Sequence, residues 1–197
     1  MRQATREYNF DWMLYTSFAA AARLKDGTPK EYANALKHIP YFRGITDAVM
    51  GAGEPGILFT KLCAKYFENI HTAHEKGRKR AITTFCFSPT ILYAFDVVPV
   101  CLEVLTVIMT MSYKRGTAEF LDFCNEAGFT ETSCSSQRGS LGGYLAGLGG
   151  EIDMVVTDTP GVCDTNANAF AFAAAYLNKP FFQIDFPPVL VSGRSAE

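Results

Sequence analysis

The chain lacks an excess of basic residues. Its 18 Lys and Arg stand against 20 Asp and Glu, for a net charge of −2 over 197 residues. A general nucleic-acid binder carries a strongly basic face, so that class is disfavoured. The single basic cluster, Lys76-Gly77-Arg78-Lys79-Arg80, reads as a solvated helix end ahead of a strand. No apolar signal region follows Met1-Arg2-Gln3, so secretion is not expected. The most apolar window, 85–111, is broken by Pro89, Asp96, Pro99 and Glu103 and does not read as a membrane span. A cytoplasmic location follows as the expectation. In that reducing setting the six cysteines are thiols or metal ligands rather than disulfides. No CxxC or CxxxC pair occurs, which disfavours a zinc ribbon or finger.

Nucleotide and hydrolase signatures are missing too. There is no GxxxxGK[ST], and no GxGxxG lies between a strand and a helix. Gly139, Gly142, Gly143, Gly147, Gly149 and Gly150 fall within and after a helix, where small residues serve close packing. GxSxG is absent, and all three histidines, His38, His71 and His74, precede the sheet region. A nucleophilic Cys134 or Cys163 would need one of them to fold over as a base, and nothing in the sequence requires that. His71 and His74 have metal-compatible i, i+3 spacing. With no carboxylate or cysteine motif nearby, they read as surface histidines at a helix end.

The length suits one domain with a helical extension. Residues 1–78 read as that extension, 79–188 as an α/β domain and 189–197 as a tail. Phe10, Leu14 and Phe18 recur at helical spacing, and 31–38 and 45–50 are shorter helical candidates. Leu58, Phe59, Leu62, Cys63, Tyr66, Phe67 and Ile70 mark one apolar helix face that Gly77 can close. Strands then alternate with helices: strands at 81–85, 97–102, 152–157 and 181–185, helices at 90–95, 117–127, 141–148 and 166–177. The pattern predicts a parallel Rossmann-like or flavodoxin-like sheet flanked by helices. The stretch 155–168 places a thiol and a carboxylate, Cys163 and Asp164, where a strand ends and a helix begins. Ligands bind at that edge in open α/β sheets.

The cysteines divide into two sets. Cys63, Cys101 and Cys124 lie inside apolar patterns and read as small buried hydrophobes. Cys86, Cys134 and Cys163 fall in strand exits or pre-helix loops. Soft thiols collected there suit an iron–sulfur cluster or zinc, although ordinary loop thiols fit the same spacing.

Four segments, in order, resemble the subunits of 2-hydroxyacyl-CoA dehydratases and benzoyl-CoA reductases. They are Phe85-Cys86-Phe87-Ser88-Pro89 with its run to Pro99-Val100, Ser133-Cys134-Ser135-Ser136 before a helix, the turn Val162-Cys163-Asp164-Thr165, and the aromatic strand from Phe181 towards Pro187. The resemblance covers about 55–188. It implies a [4Fe–4S] cluster, with Cys134 and Cys163 matching two of three cysteine ligands and the third lying in a second α/β domain beyond this sequence. Cys86 matches a motif cysteine and stands with Cys134 and Cys163 as a candidate metal residue, and Ser88 lies where the family lines its substrate pocket. Asp164 is a candidate at the reacting end, or a helix cap. Two departures stand out: the family's acidic pair is replaced by Thr90 and Ile91, and its usual Gly before the second strand is Asp96.

The reaction so implied is reductive radical chemistry on an acyl-CoA thioester. A separate ATP-dependent activator delivers one low-potential electron, the thioester carbonyl becomes a ketyl, and a homologous second subunit completes the enzyme. Two other readings stay open on the residues. One is a non-catalytic relative acting as an interaction or assembly module without a complete cluster. The other is a small flavodoxin-like ligand-binding domain without metal.

Overall fold

The computed structural model describes residues 54–86, 88–112, 118–145, 151–158 and 163–184. The helical candidates before residue 54, His38, the loop glycines at 147–150 and the tail lie outside them.

Helix α1 spans Glu54–His71. Its sequence-predicted apolar face splits in two. Cys63, Phe67 and Ile70 are buried with Ala64, whereas Leu58, Phe59 and Leu62 are exposed. A short 3-10 turn, His74–Lys76, follows and is closed by Gly77 at φ 69°, as a helix stop requires.

Strand β1, Lys79–Thr83, enters the sheet next. Pro89–Phe95 winds as a 3-10 helix rather than an α-helix. Asp96 closes it at φ 55°, its N–H reaching the carbonyls of Leu92 and Tyr93. The Asp that replaces the expected Gly therefore keeps the left-handed conformation that Gly adopts freely, one of the few residue types able to do so.

Strand β2 is Val97–Cys101, and helix α2, Leu102–Ser112, begins at the next residue. The sequence expectations left this helix unassigned. Helix α3 is Ala118–Glu126. Helix α4, Ser135–Leu145, starts six residues earlier than its apolar pattern suggested. Strand β3 is Met154–Asp158, helix α5 Asp164–Leu177 and strand β4 Phe181–Ile184.

The four strands are all parallel, in the order β2-β1-β3-β4, with helices around them. The fold has the expected α/β character. Pro99, opposite Ala81, is tolerated because β2 is an edge strand with no ladder partner on its far side among the described residues. Tyr66 of α1 covers that edge, its hydroxyl accepting the Cys101 N–H at 2.9 Å.

One core cluster joins Ala81, Val97 and Val156 to Leu92 of the 3-10 helix. A second joins Cys124, Phe129, Leu141, Ala169 and Ala173, where α3, α4 and α5 meet. Among the described residues, no helix is long and apolar enough to cross a membrane.

Candidate functional site at the sheet's carboxyl edge

The winding direction reverses at β1: β2 lies on one side of it and β3 on the other. Such a switch point opens a crevice outside the carboxyl ends of the two central strands. The residues that leave β1 and β3 there are Thr84, Phe85 and Cys86 on one side, and Asp158 and then Cys163 on the other.

A buried polar network fills the edge, and its hub is Glu103, in the first turn of α2 and only 5% exposed. One carboxylate oxygen accepts from the Thr84 hydroxyl at 2.7 Å and from Gln137 Nε2 at 3.0 Å. The other accepts from the Phe85 N–H at 3.2 Å and from the Cys101 thiol at 3.3 Å. Because the Thr84 hydroxyl donates to a carboxylate, its oxygen is left to accept. It accepts from Asn166 Nδ2 at 2.7 Å and from the Cys86 N–H at 3.2 Å. Asn166 Nδ2 also lies 3.3 Å from Cys86 Sγ.

The carboxylate thus sets the polarity of the whole network. Gln137 and Asn166 turn their NH2 ends inward. Their carbonyl oxygens are then left without partners, as is Asp158 Oδ2, all three on buried side chains. Each such orphan acceptor costs about 1–3 kcal/mol unless something donates to it.

Gln137 and Asn166 are each the third residue of a helix, and each helix has a candidate cysteine just before it. Cys134 precedes α4, its carbonyl accepting the Arg138 N–H at 3.0 Å. Cys163 holds the N-cap position of α5, with its carbonyl accepting the Ala167 N–H at 3.2 Å. The α5 helix begins two residues earlier than expected. The cap position therefore belongs to Cys163, and Asp164 takes the first turn, where a carboxylate suits the helix dipole. The loop that carries Cys134 is pinned by Arg138, which donates to the Glu131 carbonyl at 2.7 Å and to Asn125 Oδ1 at 2.6 Å. Thr106 ties α2 to the start of α4 through the Ser136 carbonyl at 2.8 Å.

The cysteine sets separate by exposure. Cys63, Cys101 and Cys124 are buried, Cys86 and Cys163 half-buried, and Cys134 exposed. Burial pushes the Cys63 thiol up to about 11 and the Cys101 thiol to about 12, the latter with help from Glu103. Cys86 is also shifted up. Burial is the main cause, the Thr84 hydrogen bond opposes it, and Asp158, Cys163 and Glu103 add to it. Cys86 precedes a 3-10 helix, not an α-helix, and stands among acidic neighbours, so no helix dipole offsets that shift. Ser88 is exposed and precedes Pro89, with no side-chain capping bond.

Cys134 and Cys163 are donors of the right chemistry for an iron–sulfur cluster, and each sits at a helix start that reaches one network. Among the described residues, however, no three His, Cys, Asp or Glu side chains come together as a metal group. A third ligand would have to come from elsewhere.

The sequence expectations missed Glu103, Thr84, Gln137 and Asp158. They placed Asn166 only as the start of a helix. The repeated spacing Cys134-x-x-Gln137 and Cys163-x-x-Asn166 was the available signal. At the opposite edge, His74 Nε2 meets Asp153 Oδ2 at 2.8 Å, and Lys79 meets Oδ1 at 3.1 Å. His74 therefore does have a carboxylate neighbour, 79 residues along the chain.

The family model for 2-hydroxyglutaryl-CoA dehydratase, D-component (HGD-D), matches residues 84–197. The chain belongs to this family. The match opens at Thr84, the first residue after β1, and takes in Glu103, Cys134, Cys163 and Asn166. No curated protein matches the chain.

Proposed function

We propose that this HGD-D chain serves as a subunit, or as the first domain of a subunit, of an iron–sulfur 2-hydroxyacyl-CoA dehydratase or related acyl-CoA reductase. One observation carries the reading: two cysteines at helix starts flank one buried network at the sheet's switch point, in a chain of this family. Cys134 and Cys163 would hold a [4Fe–4S] cluster, with the third cysteine supplied from outside the described residues and the Cys86 thiol beside it. Bound there, the cluster would supply single electrons of low potential to an acyl-CoA thioester.

The chain's own residues do the rest. Backbone N–H groups at 164–166 open α5 and stabilise negative charge that develops beside them. The carbonyl oxygens of Gln137 and Asn166 are buried behind the two cysteines and hold no donor of their own. Ser88 and Asp164 are the candidates at the reacting end of the substrate. The other participants in this reading are a homologous second subunit and an ATP-dependent electron activator, working in the cytoplasm.

A second reading has its own support. The replacement of the family's acidic pair by Thr90 and Ile91 favours a family member that acts as an assembly module without a complete cluster. Anaerobic purification with iron and sulfide analysis separates the two. The enzyme reading expects a brown protein whose iron is lost in Cys134→Ala and in Cys163→Ala. A colourless, iron-free chain, purified with its partner subunit under strict anaerobiosis, leaves the module reading.

A further inference from the structure

We infer that Glu103 is a positioning residue that sets the starts of α4 and α5 as a coupled pair, and so holds Cys134 and Cys163 in register with one another. The inference rests on the reading of those cysteines as a functional pair, but its mechanism stands on the network alone. Glu103 lies on neither cysteine-bearing helix. It reaches α4 directly, through Gln137 Nε2 at 3.0 Å, and α5 indirectly, through the Thr84 hydroxyl at 2.7 Å and then Asn166 Nδ2 at 2.7 Å.

Both links depend on the sign of the charge. A carboxylate offers only acceptors, so Thr84 must donate to it, and both amides must turn their NH2 groups inward. A neutral amide at position 103 would put a donor where one of the two oxygens now accepts. Either the Thr84–Gln137 side or the Phe85–Cys101 side would then face a second donor. Hydrogen bonds to an ionised group in a buried site are among the stronger ones available, and their loss exposes helix starts to opening.

The test uses the full chain and reads amide hydrogen exchange. In Glu103→Gln, exchange at the first hydrogen-bonded amides of each helix, 138–141 and 167–170, should accelerate together, each by on the order of tenfold or more. Leu105→Ala is the control, since Leu105 is buried on the same helix but outside the network. It should not produce the paired change. The exchange Glu103→Gln with Gln137→Glu moves the carboxylate across the shared hydrogen bond. It should restore protection at 138–141 and leave 167–170 fast, because Thr84 no longer meets a charge.

The inference is overturned if only one segment responds to Glu103→Gln, if Leu105→Ala gives the same pattern, or if the exchanged pair restores neither segment. Iron content is measured on the same preparations. Coupled exchange in a chain that binds no iron would leave the positioning role standing and remove the cluster reading. Iron binding with uncoupled exchange would do the reverse.

Discussion

Gly142 offers a sharp test of how α3 and α4 are held together. A Cβ built at this position would land on the Phe120 carbonyl oxygen. It would also lie 2.7 Å from the Phe120 carbonyl carbon and 3.2 Å from Cys124 Cβ. Two of these obstacles are α3 backbone, so no side-chain rotation relieves them and the helices must part. Gly142→Ala has one term in its favour, about 1 kcal/mol of helix propensity. Overpacking against backbone opposes it, at the upper end of the usual range of about 1–3 kcal/mol. The balance is a loss of about 2 kcal/mol, or roughly 4–8 °C in Tm for a chain of this size. Urea unfolding should show a lower midpoint at an unchanged slope. Gly128→Ala provides the contrast: nothing lies within 4 Å, and its cost comes from φ +98° alone, about 1 kcal/mol. If Gly142→Ala were as stable as the parent, or more so, the close approach of the two helices would be refuted.

Asp96→Gly should stabilise the chain by about 0.5–1 kcal/mol by relieving a left-handed backbone at φ 55°, as thermal unfolding would register. A loss of stability would mean that the Asp side chain makes a compensating contribution. For Asp153, burial would raise the carboxyl, but the Arg80 N–H, His74 and Lys79 outweigh it and hold the group below its ordinary value. A carboxyl depressed in the folded state stabilises the fold above its unfolded value, near about 3.9, and that stability is lost as pH falls through the folded value. Asp153→Asn should therefore be less stable than the parent at neutral pH. The gap should close on acidification below about pH 4, and a gap that held constant with pH would contradict the assignment.

Much of the architecture was legible in local pattern. Strand runs such as Ala81-Ile82-Thr83 and Val155-Val156-Thr157, punctuated by Gly77, Gly128 and Pro89, place the sheet's order of elements. Helix α2 was not legible, because Leu102-Glu103-Val104-Leu105-Thr106-Val107 continues the β-branched run of β2 with no Gly or Pro between them. The start of α4 was hidden by Ser135-Ser136-Gln137-Arg138, a polar run that reads as loop. Gln137 and Arg138 are in fact buried, satisfied in part by hydrogen bonds to Glu103, Glu131 and Asn125. Sequence spacing could place three thiols at loops and still not find their common neighbour. Glu103 and Thr84 are 19 residues apart, and nothing local marks an acid in an apolar run as buried rather than as an interruption.

The junction between β2 and α2 limits how this part of the chain can vary in length. Cys101 is the last residue of the strand and Leu102 the first of the helix, with no loop residue between them. Most strand-to-helix connections absorb an insertion by letting the extra residue bulge into solvent. Here one added residue would turn everything after it by about 100° about the helix axis. Glu103 would swing off the edge, and the Thr84 and Gln137 donors would be left facing one another. Single-residue insertions between 101 and 103 should therefore be lethal to the fold's polar centre, far more so than substitutions at the same positions.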